Sequence, residues 1–190
     1  MGQRTIAQPE SARLRPDNVI PGRRLLACRC EDAGMTPAIV LMERHNVAFD
    51  VHEYDRGDDL RDFGREAADS LGLPFEQVFK TLLVDVDSQR DPVVAVIPVS
   101  CMVSMKLIAA AAGGKRATMC DPSVAERITG YVVGGISPLG QRKLLITVLD
   151  ETIELFETVY VSGGRRGLDI SLAPNDLRDL LDATIAPITA

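Results

Sequence analysis

Histidine is scarce in this chain of 190 residues, with only His45 and His52 present. A Ser-His-Asp triad needs a histidine with partners on both sides, and neither residue has an evident one. The same shortage weighs against zinc. Cys28, Cys30, Cys101 and Cys120 do not combine with these histidines at metal-ligand spacing. Cys28 and Cys30 are too close together for an easy disulfide. The four are expected to be small reduced cysteines, with Cys101 and Cys120 in or near the core. Gly-x-Ser-x-Gly, a phosphate-binding P-loop and a dinucleotide fingerprint are also missing. No apolar run approaches the roughly 18 residues that span a bilayer. The arginine-bearing N-terminus lacks the apolar stretch of a signal peptide. A cytoplasmic protein without membrane contact is expected. Positive charge is in deficit, with 21 basic against 27 acidic residues and a net charge of −6. That argues against broad, autonomous nucleic-acid binding. It leaves room for local basic doublets at Lys115-Arg116, Arg142-Lys143 and Arg165-Arg166, which fit ordinary surface charge equally well.

What the chain does have is concentrated glycine. Gly130-Tyr131-Val132-Val133-Gly134-Gly135-Ile136-Ser137-Pro138-Leu139-Gly140 holds four glycines and a proline. Ser162-Gly163-Gly164-Arg165-Arg166-Gly167-Leu168-Asp169 is a second stretch of the kind. Loops like these persist where positive φ or close backbone approach is needed. Their exposed N–H groups can hold a carbonyl or an oxyanion. Together they suggest a pocket for a small molecule or acyl group.

Residues 1–34 differ from the rest. They contain six arginines, no lysine, four acidic residues and three prolines, with no sustained periodicity. A mostly disordered extension is expected there, followed by one domain over 35–190. Met35 is a candidate translation start. Thr36-Pro37 predicts a helix N-terminus, the threonine capping and the proline first in the helix. Helices are expected from Pro37 to about Asn46, Asp62 to Leu71, Met105 to Ala112, Asp121 to about Gly130 and Pro174 to Asp182. Strands are expected from Phe49 to Tyr54, Val78 to Asp85, Val93 to Val99, Ala117 to Met119, Leu145 to Leu149, Thr158 to Val161 and Leu168 to Leu172. Arg56–Asp59 reads as a polar loop, and Asp87–Asp91 as a hairpin loop. The irregular interleaving predicts an α/β fold of the α+β type, with a mixed sheet, curved or barrel-like, rather than a doubly wound parallel one.

Within Val78-Phe79-Lys80-Thr81-Leu82-Leu83-Val84 a lysine interrupts an apolar run. Two readings fit Lys80: an edge-strand charge that deters aggregation, or a cation aimed into a pocket to polarise a carbonyl or bind phosphate. Period two puts Val78, Lys80 and Leu82 on one face and Phe79, Thr81 and Leu83 on the other. Asp169 is a turn carboxylate, a partner for Arg165 or Arg166, or a counter-charge for an ammonium group. Tyr54 and Phe63, two of eight aromatics, suit a core or a pocket wall. His52 shares their neighbourhood without a defined role. With no protein nucleophile in view, any catalysis would rest on positioning and oxyanion stabilisation.

Met35-Thr36-Pro37-Ala38, Val78-Phe79-Lys80-Thr81-Leu82, Thr129 to Gln141 and Tyr160 to Asp169 resemble the YbaK/EbsC family of free-standing aminoacyl-tRNA editing domains, over about residues 35–188. The resemblance implies a compact α/β domain with a mixed, barrel-like sheet. It implies deacylation of mischarged tRNA, above all cysteinyl-tRNA(Pro), alongside prolyl-tRNA synthetase, with no metal or organic cofactor. Lys80 matches the family's essential lysine, with Thr81 beside it. Tyr54 and Phe63 match pocket aromatics. Gly135, next to Gly134, matches the glycine whose amide faces the aminoacyl carbonyl. Ser162, Gly163 and Asp169 match pocket positions near the amino acid. The implied chemistry is attack of the substrate's own cysteine thiol on its ester carbonyl, releasing a thiolactone.

Overall fold

The computed structural model describes residues 34–55 and 63–190. The expected extension therefore lies, but for Gly34, outside the described residues. So do Cys28, Cys30, the Arg56–Asp59 loop and Asp62. Among the described residues, five helices and eight strands follow in chain order. Helix α1 spans Pro37–Arg44, strand β1 Phe49–Glu53, α2 Phe63–Leu71, β2 Val78–Val86, β3 Val93–Pro98, α3 Met105–Ala111 and β4 Ala117–Met119. Then come α4 Pro122–Thr129, β5 Thr147–Asp150, a short 3-10 helix Glu151–Leu155, β6 Val159–Arg165, β7 Leu168–Leu172, α5 Pro174–Leu181 and β8 Thr184–Ala186.

Local chemistry sets several boundaries. Thr36 stands in extended conformation before Pro37, and its hydroxyl accepts from the Ile39 amide at 3.3 Å. Asp121 caps α4 through the Ser123 and Val124 amides, again with proline in the first turn. Strand β3, Val-Val-Ala-Val-Ile-Pro, is buried along its whole length. A strand covered on both faces loses the apolar–polar alternation and reads as one hydrophobic run.

The sheet order is β1-β7-β6-β2-β3-β5-β8, with β4 also pairing β2. Pairs β1/β7, β6/β7, β2/β3 and β2/β4 are antiparallel, and β2/β6, β3/β5 and β5/β8 are parallel. The sheet is mixed as expected, but the pairing path does not return on itself. It is an open sheet and not a closed barrel. Helices cover both faces. Ala38, Ile39 and Met42 of α1, Ala125 of α4 and Leu177 of α5 pack with Phe79, Leu83, Val161 and Ile170 on one side. Ile108 and Ala109 of α3 pack with Val84, Ala95 and Ile97 on the other, and Ala68 of α2 with Val78 and Val99. Three layers bury the sheet.

Candidate active site

Strand β2 organises the site. Phe79 and Leu83 point into the larger core, while Lys80 shares the opposite face with Val78 and Leu82, as period two requires. Register carries this face across the sheet. Val78 lies opposite Tyr160, Ser162 opposite Asp169, and Asp169 opposite His52. Lys80, Ser162 and Asp169 therefore stand on one face, beneath α2. A cavity of about 510 Å³ opens along this stretch of β2 and is lined from both faces of the strand. Tyr54, Phe63, Lys80, Thr81, Gly134, Ser162 and Asp169 all line it. These seven residues come from the segment just after β1, from α2, β2, β6 and β7, and from the glycine loop, and only the fold brings them together.

Charge in the cavity is sparse and deeply set. Lys80 donates from Nζ to the Val99 carbonyl at 3.3 Å, which fixes the ammonium near the end of β3. Asp169 is 5% exposed. Neither neighbouring arginine turns toward it: Arg165 pairs with Glu53, and Arg166 donates to the Val133 carbonyl from Nε at 2.9 Å and Nη2 at 2.7 Å. Burial pushes the Asp169 carboxyl up to about 7. The ordinary turn-carboxylate reading therefore does not apply. Thr81 Oγ1 is buried with no hydrogen-bond partner among the described residues, a polar atom in the wall of the cavity that a ligand could satisfy.

Two expected residues sit elsewhere. Gly135 does not line the cavity. Its amide donates to the Val132 carbonyl at 3.0 Å, and a Cβ there would come within 2.8 Å of the Arg165–Arg166 backbone. Gly135 is where the glycine loop meets the β6–β7 turn, and its N–H is already used. Gly134 and Ile136 flank it and do line the cavity. Neither amide has a partner among the described residues. Gly134 has φ of +86°, and a Cβ there would meet the Phe63 ring at 2.8 Å. Gly163 is also off the cavity. Its Cβ position faces Leu168 and Ile170, and its carbonyl accepts from the Thr36 hydroxyl at 2.5 Å.

Arg166 is a residue that the basic-doublet pattern alone did not single out. Its guanidinium grips Val133 and lies 5.1 Å from the centroid of Phe63, so one side chain holds both the glycine loop and a cavity wall. The signal available was an arginine inside a tight glycine turn, but its target is 33 residues away.

Ser162, Asp169 and His52 form a row across β6, β7 and β1. Those residue types suggest a triad, yet the carboxylate is in the middle. His52 bonds through Nε2 to Ser171 at 2.9 Å. Burial lowers its pKa against the pull of Asp50. No histidine adjoins Ser162 to act as its base. Cys120 lines the cavity, but burial first, then the Asp85 charge, pushes its thiol up to about 11. It is held as the thiol, a poor nucleophile.

A sequence model of the family described as the aminoacyl-tRNA editing domain matches residues 59–180. The chain is 36% identical over 154 residues to EbsC of Enterococcus faecalis, provisionally named a Cys-tRNA(Pro)/Cys-tRNA(Cys) deacylase; the match covers 81% of this chain and 93% of that one. Among solved structures, hypothetical protein APE2540 superposes with a TM-score of 0.73 at 22% identity, covering 82% of this chain and 100% of that one. A protein described as a provisional trans-editing enzyme for prolyl tRNA synthetase superposes with a TM-score of 0.70 at 20% identity, over 81% of this chain and 95% of that one. At those identities the two structures establish a shared fold.

Proposed function

The chain belongs to the aminoacyl-tRNA editing domain family, and we propose that it is a trans-editing deacylase that clears cysteinyl-tRNA(Pro), and cysteinyl-tRNA(Cys) with it. One observation carries this reading. The cavity holds a lysine and a buried carboxylate on one sheet face, but its cysteine is kept protonated and its serine has no histidine beside it. Such a wall can bind and polarise an ester without attacking it. The nucleophile then comes from the substrate.

In this mechanism the α-ammonium of the cysteinyl group rests against Asp169. A cation there offsets the cost of ionising a buried carboxylate. The ester carbonyl faces the Lys80 ammonium, with the Gly134 and Ile136 amides as further donors. The substrate thiol loses its proton, and its sulfur attacks the carbonyl carbon. A C–S bond forms and the carbonyl electrons move to oxygen. Preorganised donors are most effective at that oxyanion. The oxyanion then re-forms the carbonyl and expels the ribose oxygen, which takes up a proton. The products are a cysteine thiolactone and free tRNA. Holding both reacting groups of one residue in a single pocket converts a slow encounter into an intramolecular step. The net charge of −6 supports a partner that holds the tRNA, and prolyl-tRNA synthetase is the expected one, in the cytoplasm.

The test is deacylation of cysteinyl-, alanyl- and prolyl-tRNA(Pro), with and without prolyl-tRNA synthetase. Cysteinyl-tRNA is expected to be cleared with release of a thiolactone, and the other two to survive. Equal cleavage of alanyl-tRNA(Pro) would replace the thiol mechanism with attack by water.

A further inference from the structure

The glycine loop turns back on itself at Val132–Gly135. The Gly135 amide donates to the Val132 carbonyl at 3.0 Å, so Val133 and Gly134 are the two central residues of a β-turn. Gly134 has φ of +86° and Val133 has negative φ, which makes the turn type II. Types I and II share the same ends and differ by a rotation of about 180° of the central peptide, here Val133–Gly134. Glycine adopts φ of either sign, so the sequence of the turn leaves both forms open.

Contacts from distant elements decide between them. The Val133 amide donates to Glu126 Oε1 at 2.8 Å, which anchors the first peptide of the turn to α4. The Val132–Gly135 bond fixes the last. The peptide between them is left to rotate, and Arg166 holds its carbonyl oxygen with two donors, Nε at 2.9 Å and Nη2 at 2.7 Å. That peptide is trans, so its N–H, which is the Gly134 amide, points away from the guanidinium. Val133 and Gly134 line the cavity and Arg166 does not. The arginine lines a smaller polar recess with Glu53, Tyr54 and Asp55. The carbonyl is thus drawn outward and the N–H is turned inward.

We infer that Arg166 is a positioning residue that selects the type II turn and thereby aims the Gly134 N–H at the ester carbonyl, the place of that carbonyl resting on the editing reading. In the type I form the same peptide presents its carbonyl oxygen to the cavity. Lone pairs would then face the oxygen on which negative charge develops, where a donor is needed. One flip exchanges a stabilising group for a repelling one. A cation on the carbonyl oxygen also polarises the peptide and strengthens its N–H as a donor. Glu126 holds the frame against which the central peptide turns.

Nuclear Overhauser effects read this peptide without turnover. With Val133 ψ near about +120°, as in type II, its Hα lies beside the Gly134 N–H; near about −30°, as in type I, the two N–H groups lie together. In the full chain labelled with nitrogen-15 and carbon-13, the strong cross-peak of the wild type is expected between Val133 Hα and the Gly134 amide proton. Arg166→Ala, a change at an exposed side chain, should replace it with a strong cross-peak between the two amide protons. Arg166→Lys should show both. For cysteinyl-tRNA, kcat of Arg166→Ala should fall about tenfold with KM little changed, the pattern of an interaction made at the transition state. This role of Arg166 is overturned if Arg166→Ala keeps the wild-type cross-peaks, whatever its activity, because any loss would then run through Phe63, which the guanidinium also touches. It is overturned equally if the peptide flips and kcat holds. A wild-type protein that deacylates nothing, while its variant shows the exchange of cross-peaks, sinks the editing reading and leaves the selection of the turn standing.

Discussion

Replacing Asp169 by asparagine should make the protein more stable at alkaline pH and less active. The carboxyl is 5% exposed, and desolvation raises it from 3.8 to about 7. A gap of about three units at 1.36 kcal/mol each corresponds to about 4 kcal/mol. The sign follows from proton counts. Below about pH 3.8 the group is protonated in both folded and unfolded chains, and it costs nothing. Between 3.8 and 7 the unfolded chain has lost the proton while the folded one keeps it, so stability falls as pH rises. Above about 7 the full cost applies. Asp169→Asn has no proton to lose. Urea unfolding at pH 4, 5.5, 7 and 8 should give midpoints within about 0.3 M at pH 4 and a variant midpoint higher by about 2 M at pH 8, for an m-value near 2 kcal/mol/M. Every other titrating group is common to both proteins, so the difference isolates this carboxylate. Deacylation of cysteinyl-tRNA should fall at least about tenfold, because the ammonium loses a charge-assisted partner. Stability gained with activity lost marks a strained functional group. Variant and wild-type midpoints that track each other from pH 4 to 8 would refute the reasoning.

Lys80→Ala should lower kcat by about 10² to 10³, the cost of one oxyanion donor, with an unchanged circular dichroism spectrum; single-turnover deacylation with retained activity would remove Lys80 from the mechanism. Arg166→Ala frees Val133 and Phe63 together, so kcat should drop about tenfold with little change in KM. Arg166→Lys, a point charge that lacks the two-pronged geometry, should restore less than half of that loss in the same steady-state assay. Thr36→Ala removes both the α1 cap and the bond to Gly163. About 1 to 2 kcal/mol should be lost, seen calorimetrically as a Tm lower by about 4 °C.

Short-range sterics and solvation made much of this protein readable from its residues. Thr36-Pro37 opens α1 because a capping hydroxyl and a preset φ act within one turn. The placement of Lys80 with Val78 and Leu82 needs only the alternation of a strand. The 3-10 helix Glu151–Leu155 and β8 were not legible. Most helix and strand bounds moved by a residue or two, as at Thr147–Asp150, while β6 runs to Arg165, four residues past its expected end.

Other properties belong to the tertiary structure alone. Strand order decided that Ser162, Asp169 and His52 lie in a row with the carboxylate in the middle. Burial decided that Asp169 titrates near neutrality and that the Cys120 thiol stays protonated. Loop contact decided that the amide of Gly135 is used on Val132 while those of Gly134 and Ile136 have no partner among the described residues. Identity and spacing along the chain specify which groups are available. Their protonation and their partners depend on what distant segments cover them, and that is set only when the layers close.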